Sequence, residues 1–135
     1  MQVLAVDFGS KRIGLAVGNA QTRVATPLQQ IPAHNRRHVL EEIVRRIGEF
    51  EIGAIAVGYP LNMDGSRGPA CLRIDQFIGY LSKHIALPIA RVDERLSSFA
   101  AEEMGRELTA NYRQRKTFLD SLAAQVILKN YFEQQ

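Results

Sequence analysis

Gln2–Phe8 (QVLAVDF) is an almost unbroken apolar run that ends in a Gly-Ser turn, the pattern of a buried strand. A second run follows at Ile13–Gly18 and a third near Val24–Ile31, with a polar turn at Asn19–Thr22. Links this short favour antiparallel hairpins, and Pro27 and Pro32 predict that the third strand is an edge. The period then changes. From Asn35 to Phe50, Leu40, Ile43, Val44 and Ile47 recur at helical spacing, with Arg36, Arg37, Glu41, Glu42, Arg45, Arg46 and Glu49 on the other face. Gly53 punctuates before a fourth strand at Ala54–Gly58, and Tyr59–Gly68 is a loop rich in turn residues. Pro69 suits the first position of a second helix, whose apolar face carries Ile74, Phe77, Ile78, Leu81 and Ile85. Leu87–Val92 is the fifth strand. A helix is expected from Ser97 or Ser98 to about Leu108, then a polar segment Thr109–Lys116. A last helix over about Phe118–Glu133 turns Leu119, Leu122, Ala123, Val126 and Ile127 inward.

Three hairpin-linked strands, then two strands behind helical crossovers, predict an α/β protein with a mixed five-stranded sheet and helices on its faces. Right-handed crossovers would give the strand order 3-2-1-4-5. Composition narrows the class. The chain has 135 residues, 46% of them hydrophobic and 23% charged, which is ordinary globular usage and predicts one domain over residues 1–135. Cys71 is the only cysteine, so no internal disulfide is possible and a reducing, cytoplasmic home is expected. No apolar run approaches the ~18 residues of a membrane span, and Met1-Gln2 leads straight into a strand, so no signal peptide is expected. A net charge of +3 is a faint pull toward an anionic partner.

The acids are less ordinary. Asp7 closes the first strand on the face of Val3 and Ala5, and burying a carboxylate there costs several kcal/mol unless something compensates it. Asp93-Glu94 stands at the equivalent end of the fifth strand, and Asp120 near the start of the last helix. Each has an ordinary role open to it: an Asx-turn over Gly9-Ser10 for Asp7, the polar start of a helix for Asp93-Glu94, a capping box for Asp120. In a 3-2-1-4-5 sheet, however, the ends of the first and fifth strands share one rim, where ligands of α/β sheets bind. A helix packed across the sheet would bring Asp120 there too. Converging carboxylates repel, and hard cations relieve the repulsion; an oxygen-only donor set suits Mg²⁺ or Mn²⁺ rather than zinc. Two such ions would hydrolyse a phosphodiester. Setting Asp7, Asp93, Glu94 and Asp120 aside leaves ten acids against 17 bases, so the rest of the molecule carries +7.

Four blocks then carry a family resemblance. Asp7-Phe8-Gly9-Ser10-Lys11-Arg12-Ile13-Gly14-Leu15-Ala16 resembles the D-x-G-x-x-R-I-G-x-A opening of the YqgF, or RuvX, family of pre-16S rRNA nucleases and Holliday-junction-resolvase-like proteins. Gly58–Ser66 is similar to its G-x-P-L-N-M-D-G-[ST] loop, Asp93–Ser98 to its D-E-R-L-S-T segment, and Asp120-Ser121-x-Ala123-Ala124 to its terminal helix. The resemblance implies an RNase H-like fold and a metal-dependent nuclease, with Asp7, Glu94 and Asp120 as catalytic and metal-binding acids and Asp93 as the alternative ligand. Many RNase H-like nucleases end the fourth strand in a carboxylate; here Gly58-Tyr59-Pro60 stands there, so the second acid must come from Asp93-Glu94. Ser98 replaces the usual Thr.

Lys11, Arg12, Asn62, Arg67, Arg95, Arg113, Arg115 and Lys116 are candidate contacts to a nucleic-acid backbone, although exposed basic turns are common without that role. Asp64-Gly65 reads as a tight turn, and Tyr59 is the best-placed candidate for stacking a base. His34 and His38 share a helical face but lack an acidic partner, and Cys71 lacks a base. The expected activity is an endonuclease of the cytoplasm that processes the 5′ end of pre-16S rRNA during ribosome biogenesis. Its partners would be structured RNA, the ribosome or its precursors, or branched DNA, and no membrane. Alternatives are a Holliday-junction resolvase, a non-catalytic RNA-binding assembly factor, and a nucleotide-binding phosphotransferase, which would need a second lobe.

Overall fold

Alternate residues of the first strand go to opposite sides of a five-stranded sheet, and each side is covered by helix. The computed structural model describes residues 1–94 and 122–134. Its elements are β1 (Gln2–Phe8), β2 (Arg12–Asn19), β3 (Ala25–Pro32), α1 (Arg36–Phe50), β4 (Ile52–Tyr59), α2 (Pro69–Ser82), β5 (Ile89–Asp93) and α3 (Leu122–Glu133). The strand order is β3-β2-β1-β4-β5, as the crossovers predicted. β1 pairs antiparallel with β2 and β2 with β3, whereas β1–β4 and β4–β5 are parallel. The helix expected from Ser97 or Ser98, the segment Thr109–Lys116 and the first turn of the last helix lie outside the described residues.

Leu4 and Val6 join Ile13, Leu15, Ile55 and Val57 in a core under α1 and α2. Val3 and Ala5 join Ala16, Ala54, Ala56 and Val92 under α3, which contributes Ile127, Leu128 and Phe132. The small side chains on this second face let α3 lie close to the central strands.

Three readings of the pattern need correction. Gly53 does not punctuate: it lies within β4, where a Cβ would stand 2.6 Å from Met1 Cγ, so glycine is what allows the first residue to cross the strand. The buried face of α1 is Val39, Ile43 and Arg46, while Val44 is 47% exposed. Arg46 goes inward because Glu42, one turn earlier, accepts its guanidinium at 3.0 Å, and its aliphatic stem packs where an apolar residue would. In α3, Gln125 is buried and Ala123 is only half-buried. Pro27 and Pro32 do sit in an edge strand.

Candidate functional site

β1, β4 and β5 are neighbours and parallel, so their carboxyl ends form one rim. On the α3 face, Asp7 follows Val3 and Ala5 by alternation, Gly58 follows Ala54 and Ala56, and Glu94 follows Val92. Glu94 lies just past β5, and its backbone N–H still donates to the Tyr59 carbonyl at 3.2 Å, which extends the ladder by one residue. Asp93, in register with Tyr59, alternates to the other face. Asp7 and Glu94 thus share a face and line one cleft of about 960 Å³ that opens over the rim.

Both carboxyls are perturbed. Burial raises Asp7 above its ordinary value. Glu94 is pushed up to about 7, first by burial and then by the negative charges of Asp7 and Asp93. Among the described residues no Lys or Arg forms an ion pair with either acid. Two oxygen donors that repel each other, with no described Lys or Arg paired to them, match what a hard divalent ion requires. Among the described residues no three His, Cys, Asp or Glu side chains converge to complete a metal shell. Asp120, the expected third acid, lies outside those residues.

The turn after Asp7 is tight. Gly9 N–H donates to the Arg12 carbonyl at 3.0 Å, and a Cβ on Gly9 would collide with that oxygen. Lys11 and Arg12 are exposed on this hairpin, and Arg12 Nη1 reaches Gln30 Oε1 at 3.5 Å. In the loop after β4, Asn62 Nδ2 donates to Ser66 Oγ at 2.9 Å. The Ser66 hydroxyl and N–H both donate to Asp64 Oδ1, at 2.6 and 2.9 Å. With Gly65 at φ 86°, Asp64-Gly65 is a turn, and the Asn62 amide is engaged in shaping the loop. Arg67 lies over the Tyr59 ring at 6.0 Å.

Tyr59 is not a stacking platform. It is 5% exposed, and its hydroxyl donates to Asp75 Oδ2 at 2.9 Å. Burial and this bond raise the phenol, while the bond from Tyr59 and the Arg91 guanidinium hold Asp75 below its ordinary value. Cys71 is buried, with its thiol directed to the Pro60 carbonyl at 3.4 Å. Arg95, Arg113, Arg115 and Lys116 lie outside the described residues. Sequence reasoning missed Arg36 and Arg73, which line the cleft together with Phe8 and Phe77. The available signal was the spacing Arg73, Phe77, Tyr80 along one stripe of α2. Among the described residues no helix is long and apolar enough to cross a membrane.

Comparison with known proteins agrees with this architecture. A family model described as "RuvX: Holliday junction resolvase" matches residues 1–134. A Chloroflexus aurantiacus protein named "Putative pre-16S rRNA nuclease" is 39% identical over 131 residues, 97% of this chain and 86% of that protein. A Burkholderia multivorans protein of the same name is 40% identical over 132 residues, 98% and 89% of the two chains. Among solved structures, T. thermophilus RuvC in complex with a Holliday junction substrate superposes with a TM-score of 0.64 at 16% identity, covering 99% of this chain and 94% of that one. The Fowlpox virus resolvase bound to Holliday junction DNA gives 0.61 at 10% identity, covering 99% and 98%. At these identities the structural likeness speaks for the fold, which is RNase H-like. The extent of the family match and the identity to full-length relatives together show that this chain belongs to the RuvX family.

Proposed function

We propose that this protein is a divalent-metal-dependent endonuclease of the cytoplasm that processes the 5′ end of pre-16S rRNA during ribosome biogenesis. The observation that carries the reading is the pair Asp7 and Glu94: two carboxyls on one face of the sheet that line an open cleft, both raised by burial and Glu94 also by neighbouring negative charge. The names of the curated relatives support RNA as the substrate.

Asp7 and Glu94 would hold the metal, with Asp120 or Asp93 completing the donor set. Bound there, Mg²⁺ or Mn²⁺, as two ions, would acidify an attacking water and neutralise charge on the departing oxygen. The protein's own part is to present the acids in a fixed pair. Glu94, pushed up by burial and by Asp7 and Asp93, would give up its proton to serve as a ligand. Asp120 would orient the water as a general base, and the cleft walls hold the backbone in line. Lys11, Arg12, Asn62, Arg67, Arg95, Arg113, Arg115 and Lys116 would contact flanking phosphates.

A second reading, a branched-DNA resolvase, is favoured by the description of the matching family and uses the same acids. The test is cleavage of a pre-16S rRNA fragment and of a four-way DNA junction by purified protein with Mg²⁺ or Mn²⁺. Asp7→Asn, Glu94→Gln and Asp120→Asn run alongside. Loss of cutting in each variant is expected, and a triple variant that cuts like wild type would exclude the site.

A further inference from the structure

The cleft does not end at the acids. Phe8, next to Asp7, packs its ring 4.2 Å from that of Phe77 on α2. The series continues along the helix from Phe77 to Tyr80 at 6.1 Å, and past the helix end from Tyr80 to His84 at 5.2 Å. Phe8, Phe77 and Tyr80 are only half-buried, so this aromatic row is not fully consumed by the core. Two guanidiniums flank it. Arg36, the first residue of α1, lies 4.3 Å from the Tyr80 ring centre, and Arg73 stands one turn before Phe77. Arg37, Arg45, Arg46 and Arg91 are all paired with carboxylates, whereas among the described residues Arg36 and Arg73 pair with none. Arg36 is held by a ring rather than by an acid, so its charge stays available to an anion.

We propose that Arg36, Arg73 and the rings of Phe8, Phe77 and Tyr80 form a binding track for a single-stranded nucleic-acid segment that leads away from Asp7 and Glu94. Unpaired cations interleaved with partly open aromatic faces are what such a strand requires: charge for its phosphates and π-surfaces for its bases. Arg73 to Tyr80 spans about 10 Å of helix, room for two or three nucleotides at the ~3.4 Å charge spacing of one stacked strand. Continuity with the carboxylate pair is what commits the track to a nucleic acid: Phe8, Arg36, Arg73 and Phe77 line the same cleft as Asp7 and Glu94, and Tyr80 extends the row from Phe77. The inference therefore extends the nuclease reading by naming the part of the substrate, an unpaired flank, that this end of the cleft takes.

The test is fluorescence anisotropy with fluorescein-labelled uridine and thymidine hexamers in EDTA, where no metal-dependent cut can occur. Arg73→Glu is expected to weaken hexamer binding at least about tenfold, and Tyr80→Ala by a factor of about 5 or more, with Tyr80→Phe near wild type. The Arg36→Ala/Arg73→Ala pair should flatten the salt dependence by about 0.7 per phosphate lost, which a purely structural role would not do. Wild-type protein that binds neither hexamer, or folded variants that bind within twofold of it at an unchanged salt slope, would overturn the track. Preference between the two hexamers separates RNA from DNA. Asp7→Asn should lose cleavage yet bind the hexamers normally. If it cuts as well as wild type, the nuclease reading fails while the track is judged by binding alone.

Discussion

The Glu94 carboxylate rests against the bare Cα of Gly58. A Cβ added to Gly58 would stand 3.0 Å from Glu94 Cδ and Oε1 and 2.6 Å from Ile127 Cδ1. The fourth strand thus carries no acid at its end but a vacancy shaped for one, filled from the neighbouring strand. Glu94 reaches back over Gly58 toward Asp7, while α3 closes the space from above through Ile127.

Gly58→Ala should therefore push Glu94 out of position. Overpacking of this size is expected to cost about 1–3 kcal/mol, read from urea unfolding, and to lower Mn²⁺ affinity in a direct titration. Adding Ile127→Val should recover stability but not metal affinity, because the second clash, with Glu94, remains. Recovery of both would show that only the helix contact matters.

The raised carboxyl of Glu94 sets a pH dependence. Its folded value, about 7, lies above the ordinary 4.5, so the folded state holds the proton more tightly than the unfolded chain. The group's contribution is complete below pH 4.5 and is lost as pH rises through 7. The total in metal-free buffer is on the order of 3 kcal/mol. Asp7 acts in the same direction. Denaturant midpoints in EDTA at pH 5 and pH 8 should differ in wild type and differ less in Glu94→Gln. Mg²⁺ added at pH 8 should restore wild type and leave the variant unmoved.

Arg46 is buried on α1, with Glu42 as its partner at 3.0 Å. Arg46→Ala removes the buried stem and leaves Glu42 with Arg45 as its remaining partner, and should cost about 2 kcal/mol. Arg46→Met keeps the packing and should stay within about 1 kcal/mol of wild type. Thermal melts of the two variants compare them directly.

Cys71 is fully buried, with its thiol against the Pro60 carbonyl. Native protein should show no fast reaction with a disulfide reagent such as Ellman's, and one thiol per chain after unfolding in urea. A fast native reaction would mean that the loop after β4 opens readily.

Periodicity was enough to read the sheet. β1 came out at Gln2–Phe8 as read, and the order 3-2-1-4-5 follows from two short hairpins and two helical crossovers, because connection length limits how strands can neighbour. The acids at the ends of β1 and β5 stood out because carboxylates beside apolar runs cost desolvation. The choice of Glu94 over Asp93 rested on the family resemblance, whereas the register of β5 with β4 is what turns Asp93 to the other face. Other features were beyond pattern. Arg46 looked solvated because one-dimensional spacing cannot weigh an ion pair against burial. Gly53 looked like punctuation because the residue that crosses it, Met1, is remote in sequence. Tyr59 looked like a platform until its hydroxyl met Asp75. The aromatic and arginine row from Phe8 to Arg36 joins β1, α1 and α2, and the hollow at Gly58 belongs jointly to β4, β5 and α3. Local sequence determined which elements form and where their charges end; only packing between distant segments decided which charges stay unpaired and which empty space an acid fills.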